Sequence, residues 1–182
     1  MLFILYRDTV ILSKLRENDV IKTNYELENF FMNYTIETIP TQQFAYMRRI
    51  GPYGEENYVL MATFKEWIQN NGLFNEDTVI YAVARDNPEM VAPGKCRYDV
   101  GISVVSTFPN SKDINIGSLF SGGKYMIFQI EHTIEGVNQF WMTFEDIFKQ
   151  QNITNNVEKP ILERYDKKLL DKGYCEMCVP LD

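Results

Sequence analysis

Two stretches of this chain carry the same apolar stripe, 80 residues apart. In EENYVLMATFKEWIQNNG (55–72), Leu60, Phe64, Trp67 and Ile68 follow the i, i+4, i+7, i+8 spacing of one buried helical face. In EGVNQFWMTFEDIFKQQN (135–152), Phe140, Phe144, Ile147 and Phe148 repeat it, and Thr63-Phe64 recurs as Thr143-Phe144. Glu55 and Glu56 favour the N-terminal end of the first helix, and Gly72 is placed to cap its C-terminus. An alternating strand pattern precedes each helix: FAYMRRI (44–50) and YMIFQI (125–130), with Ile50 and Ile130 again 80 apart. Extended runs follow each helix: TVIYAVARD (78–86) and PILERYD (160–166), then CRYDVGISVV (96–105) and GYCEMCVPL (173–181). The spacing predicts one β-α-β-β unit used twice.

A duplicated βαββ unit predicts an α+β fold, with antiparallel sheet and a helix to one side of each half. The two halves are expected to pack about a pseudo-two-fold axis, with a cleft where they meet. Repeat 1 covers about 35–105 and repeat 2 about 124–182 of a domain spanning 35–182. STFPNSKDINIGSLFSGG, at 106–123, reads as the loop between them. Residues 1–34 fit a helix only loosely and read as an N-terminal extension, a packing or dimerising arm.

The bulk properties exclude several classes. A net charge of −7 repels phosphate backbones, so no direct nucleic-acid binding is expected. MLFILYRD is too short an apolar run for a signal peptide or membrane span, and no later run approaches twenty apolar residues. No membrane partner is expected, and the reading is cytoplasmic. Cys175 and Cys178 lie three apart in an alternating strand, so they point to opposite faces; with Cys96 they read as buried reduced thiols. One histidine, His132, gives no metal set, and no Walker loop, dinucleotide fingerprint or G-x-S-x-G elbow occurs. No metal or cofactor is expected. The 12 Phe, 11 Tyr and 2 Trp suit a core and also an aromatic ligand pocket.

One residue breaks the strand logic. Along KPILERYD (159–166), period-two alternation puts Ile161, Glu163 and Tyr165 on one face. A carboxylate between an isoleucine and a tyrosine either forms an ion pair, with Arg48 or Arg49 as partner, or lines a cavity. The 80-residue shift places Val83 where Glu163 stands, so the first half carries an apolar residue at that point.

RRIGPYGEE before a helix, IYAVARDNPE, CRYDVGISV, GKYMIFQIEH, and PILERYD followed by YCEMCVPL together resemble the GyrI-like family, over residues 35–182. These are effector-binding domains found alone or fused to AraC- and MerR-type multidrug-sensing regulators. The resemblance implies curved strands forming a partly closed barrel with a central ligand cleft. It implies binding of hydrophobic, aromatic, often cationic small molecules beside a buried acid. Carried over position by position, it assigns Glu163 as the central carboxylate and Tyr165 as its neighbour. Trp67 and Trp141 become cleft-facing helix aromatics, and Tyr81 a wall residue. No DNA-binding domain is recognisable, which points to a stand-alone sensor or sequestering protein. Two alternatives accompany the resemblance. One is a hydrolase acting on reactive electrophiles such as cyclopropyl compounds, with Glu163 as its catalytic acid or base. The other is an inhibitor that takes gyrase as its protein partner.

Overall fold

The chain's β-branched and aromatic runs pair into one eight-stranded antiparallel sheet. The structure, a computed structural model, describes residues 34–104 and 111–182. The extension read over 1–34 therefore lies, except for Tyr34, outside the described residues. The strands are β1 (Tyr34–Ile39), β2 (Phe44–Ile50), β3 (Val79–Ala84), β4 (Arg97–Ser103), β5 (Asn115–Gly117), β6 (Gly123–Glu131), β7 (Leu162–Asp166) and β8 (Tyr174–Pro180). The helices are α1 (Glu55–Asn70), α2 (Ile134–Gln150) and the short α3 (Lys167–Leu170). Among the described residues no helix is long and apolar enough to cross a membrane.

The sheet order is β1-β6-β8-β7-β3-β4-β2-β5. β3 and β7 pair at its centre, with Ala82 opposite Glu163. The sheet is open, without the partial closure into a barrel that the resemblance implied. The outer strands β6 and β2 are separated by four intervening strands, and each is extended outward by a further strand rather than paired to the other. β1 has no counterpart in the repeat pattern. β5 falls inside the stretch read as a loop, where Asn115–Gly117 pair with Phe44–Tyr46.

Both helices pack on one face of the sheet. Phe64 and Ile68 of α1 join Met47, Ile80, Ala82, Tyr98, Val100 and Ile102 in one cluster. Phe140, Phe144, Ile147 and Phe148 of α2 join Met126, Phe128, Ile130, Cys175, Met177 and Val179 in another. Burying each of these large side chains contributes about 1.5–3 kcal/mol. The opposite face holds a third cluster, in which Leu119 and Phe120 cover Phe44, Tyr81, Val83, Tyr125, Ile127 and Leu162. Cys175 and Cys178 are buried, free, and on opposite faces.

The helices end alike. Gly72, at φ 68°, closes α1 with Gly72 N–H donating to Gln69 O and Leu73 N–H to Ile68 O. Asn152, at φ 51°, closes α2 through the matching bonds from Asn152 to Lys149 and Ile153 to Phe148. This is the paired carbonyl-capping pattern of a left-handed residue just past a helix. The strands do not keep the 80-residue step. Helix-side residues are odd-numbered in β2 and β7 but even-numbered in β3 and β6, so equal-facing positions differ by an odd offset. Ile50 is accordingly 63% exposed while Ile130 is 1% exposed.

One ion pair anchors the first half. Asp99, fully buried, accepts from Arg48 Nε at 2.6 Å and Arg48 Nη2 at 2.7 Å, with Arg85 Nε at 3.7 Å. Arg97 pairs with Asp86 at 2.6 Å but is itself 43% exposed. Removing one partner of a buried pair strands the other charge, whereas exposed pairs contribute little. Arg48→Met is therefore expected to lower unfolding free energy by about 3–5 kcal/mol in a denaturant titration. Arg97→Met is expected to cost less than Arg48→Met, because its guanidinium is more exposed and Asp86 keeps the Arg97 backbone N–H as a donor.

Candidate functional site

Period-two alternation sends Glu163 and Tyr165 of β7 to the helix side of the sheet. Both donors to Glu163 are tyrosines, and both reach the same oxygen. Tyr165 Oη donates to Glu163 Oε2 at 2.6 Å and Tyr98 Oη to the same atom at 3.1 Å. Tyr98 stands on β4, two strands from β7, across β3. Strands lie about 4.8 Å apart, so the intervening side chains decide whether a tyrosine can span the gap. Here β3 presents Ala82 opposite Glu163 and Ala84 opposite Tyr98, and these small side chains leave the path open. This register corrects the Val83 equivalence: Val83 faces the other side of the sheet, beside Leu162, and the helix-side position opposite Glu163 is Ala82.

The alternative, an ion pair of Glu163 with Arg48 or Arg49, does not form. Arg48 is engaged by Asp99, and Arg49 donates to Pro52 O and to Asn57 Oδ1. Among the described residues, no cationic side chain lies within ion-pair distance of Glu163. The carboxyl is densely surrounded by protein yet keeps part of its surface accessible. Burial raises its pKa, and the bonds from Tyr165 and Tyr98 oppose that rise only in part. Burial, with Glu163 alongside, pushes the hydroxyls of Tyr98 and Tyr165 well above the ordinary phenol range, so both remain donors.

Glu163 lines a cavity of about 1030 Å³. Trp141 of α2 forms part of the wall, its ring edge-on to Phe140 at 5.1 Å and to Phe144 at 5.5 Å. Other wall segments are 84–89, after β3, and 157–161, before β7. The volume is in the range of small-molecule sites. Six carboxylates line it (Asp86, Glu89, Glu145, Asp146, Glu158 and Glu163) against three cations. Arg97 is held by Asp86, Arg85 by Asp99 and the Leu119 carbonyl, and Lys159 Nζ donates to Gly122 O at 2.9 Å. Among the described residues no cluster of His, Cys, Asp or Glu is arranged to hold a metal ion.

The residues assigned from the sequence divide into two groups. Glu163 and Trp141 line the cavity, and Tyr165 stands directly behind Glu163. Trp67 packs on the α1 core, stacked on Phe64 at 6.3 Å, and is not in the cavity wall. Tyr81 is buried on the opposite face, against Phe44 and Phe120. The sequence reading missed Tyr98. Its signal was present in CRYDVGIS, where alternation sets Tyr98 with Val100 and Ile102 on the helix side.

Comparison with known proteins agrees with this architecture. Residues 32–182 match the GyrI-like small molecule binding domain. The chain is 38% identical to YosT of Bacillus subtilis, a SPbeta prophage-derived protein named as a candidate transcriptional regulator, over 82% of this chain and 99% of YosT. It is 23% identical to a DNA gyrase inhibitor of Salmonella typhimurium, over 82% of this chain and 98% of that protein. Among solved structures, SAV2435 bound to tetraphenylphosphonium superposes with a TM-score of 0.53 at 16% identity, covering 83% of this chain and 94% of that one. EcmrR, in its DNA complex, gives 0.66 at 10% identity over 91% of this chain; the match spans 63% of EcmrR. The protein belongs to the GyrI-like small molecule binding domain family.

Proposed function

We propose that the cavity binds hydrophobic, aromatic, cationic small molecules, with Glu163 as the central carboxylate, in a sensor or sequestering protein of the cytoplasm. The observation that carries this reading is a carboxyl that lines the cavity, hydrogen-bonded by two tyrosines and without an ion-pair partner among the described residues. A delocalised cation supplies the missing charge where solvent screens it poorly, and Trp141 offers a ring face for stacking and cation–π contact. That SAV2435 was solved with tetraphenylphosphonium, a cation of this kind, supports the reading. The sheet order β6-β8-β7 followed by β3-β4-β2 supports reading the domain as a duplicated βαββ unit about a pseudo-two-fold axis between β7 and β3. On that reading the cleft belongs to the junction of the halves. The gyrase inhibitor among the relatives supports gyrase as a protein partner.

Titration of the protein with tetraphenylphosphonium, followed by calorimetry or intrinsic tryptophan fluorescence, is expected to saturate. Glu163→Gln should weaken binding roughly 10–100-fold, or ~1.4–2.8 kcal/mol. Equal binding by wild type and variant would contradict the role of Glu163.

Proton linkage gives a second expectation. Glu163 is protonated up to a higher pH than an ordinary carboxyl. A bound cation favours its ionised form, so affinity should rise with pH through the raised pKa and level off above it. Tyr98→Phe removes a bond that favours the ionised form, so the rise should move to higher pH, measured as the midpoint of the affinity–pH curve.

Stability should respond with the opposite sign. Between the ordinary carboxyl range and the raised value, the folded state holds the Glu163 proton more tightly than the unfolded state does. Glu163 therefore makes wild-type stability fall as pH rises through that window. Thermal unfolding should show Glu163→Gln with a shallower fall and a higher Tm than wild type above the window.

A further inference from the structure

β1 ends the sheet, and among the described residues nothing pairs with its outer side. An open strand edge is a template for another strand, and proteins commonly blunt such edges with lysine, proline or a bulge. β1 has none of these. Its sequence, YTIETI, is rich in β-branched residues, and all six residues pair with β6 in unbroken register. Its one charge, Glu37, lies on the opposite face from the helices, where Arg164 Nη1 donates to it at 2.8 Å. On the helix side, Tyr34 packs against the α2 core, while Ile36, two residues on, is 58% exposed. The edge is thus a continuation of the α2 core that stops at an uncovered isoleucine.

We infer that β1 pairs antiparallel with β1 of a second copy of this chain, joining two sheets into one. The occupant is a second copy for three reasons. The strand carries no unpaired charge with which to select a different partner. A two-fold axis normal to the sheet satisfies both strands with one sequence. The other sheet edge, β5, has only three residues, so head-to-tail growth through unlike edges is disfavoured and the contact closes as a dimer. That axis keeps each face on its own side, so Ile36 and Thr38 of one copy lie opposite Ile36 and Thr38 of the other. A single six-residue strand pair buries little area, and the dimer should be weak and concentration-dependent.

The test is sedimentation velocity of the full chain over a concentration series, wild type against the double variant Ile36→Lys and Thr38→Lys. The lysines stand on exposed positions of the same face, and in the dimer they would oppose like charges. Wild type is expected to move from one to two monomer masses with concentration, and the variant to remain at one while keeping its circular dichroism and tetraphenylphosphonium binding. Hydrogen exchange gives the second readout: those amides of residues 35–38 that point away from β6 should slow in concentrated wild type and not in the variant. A wild type that stays monomeric overturns the inference. So does a dimer that survives in the variant, or one that forms without slowing exchange in β1.

Discussion

A carboxyl packed among protein atoms, with no counter-charge within ion-pair distance among the described residues, is the constraint on which the proposed site depends. Burial makes ionising such a group costly, and the pKa of Glu163 is raised accordingly. Two tyrosines soften that preference without removing it, because a phenol donates a hydrogen bond but contributes no charge. A cation about 4 Å away, at the effective dielectric of a protein cleft, recovers about 4 kcal/mol. The same cation in water recovers far less. In the function proposed above, weak screening by solvent favours a charged ligand, while ring faces leave its shape loosely specified.

The fold makes that arrangement affordable by dividing labour across its centre. β7 supplies Glu163 and Tyr165, β4 supplies Tyr98, and β3 between them places Ala82 opposite Glu163 and Ala84 opposite Tyr98. Charges needed for the scaffold are paired elsewhere. Asp99 takes Arg48, and Arg164 takes Glu37 and Glu176, all on the face away from the helices. These arginines compensate acids in the sheet, and none of them pairs with Glu163. The acidic lining extends the same bias outward, since two of its three cations are already committed to carboxylates.

Much of the fold was legible because amphipathic period is a strong local signal. The apolar stripes of α1 and α2 gave both helices, and Gly72 gave the end of α1. Glu163 was legible as a polar residue breaking an apolar face, whereas Trp141 was named only through the family resemblance, along with Trp67. Face assignment across the two halves was not. A one-residue change in a connection leaves the helical stripe intact but reverses every strand side chain, which is why Val83 and Ile50 were misplaced. Short edge strands such as β5 carry too few residues to show alternation. The destinations of Trp67, Tyr81 and Tyr98 depend on which strands are neighbours. That is a tertiary property: Tyr98 reaches Glu163 only because Ala82 and Ala84 stand between them.

The protonation state of Glu163 is the most direct measure of this account. Infrared difference spectra, recorded at mildly acidic pH before and after adding tetraphenylphosphonium, separate the carboxylic acid from the carboxylate. The account predicts loss of a protonated carboxyl band and gain of carboxylate bands on binding, both absent from Glu163→Gln. A spectrum in which the carboxyl bands do not change, or change equally in Glu163→Gln, would contradict it.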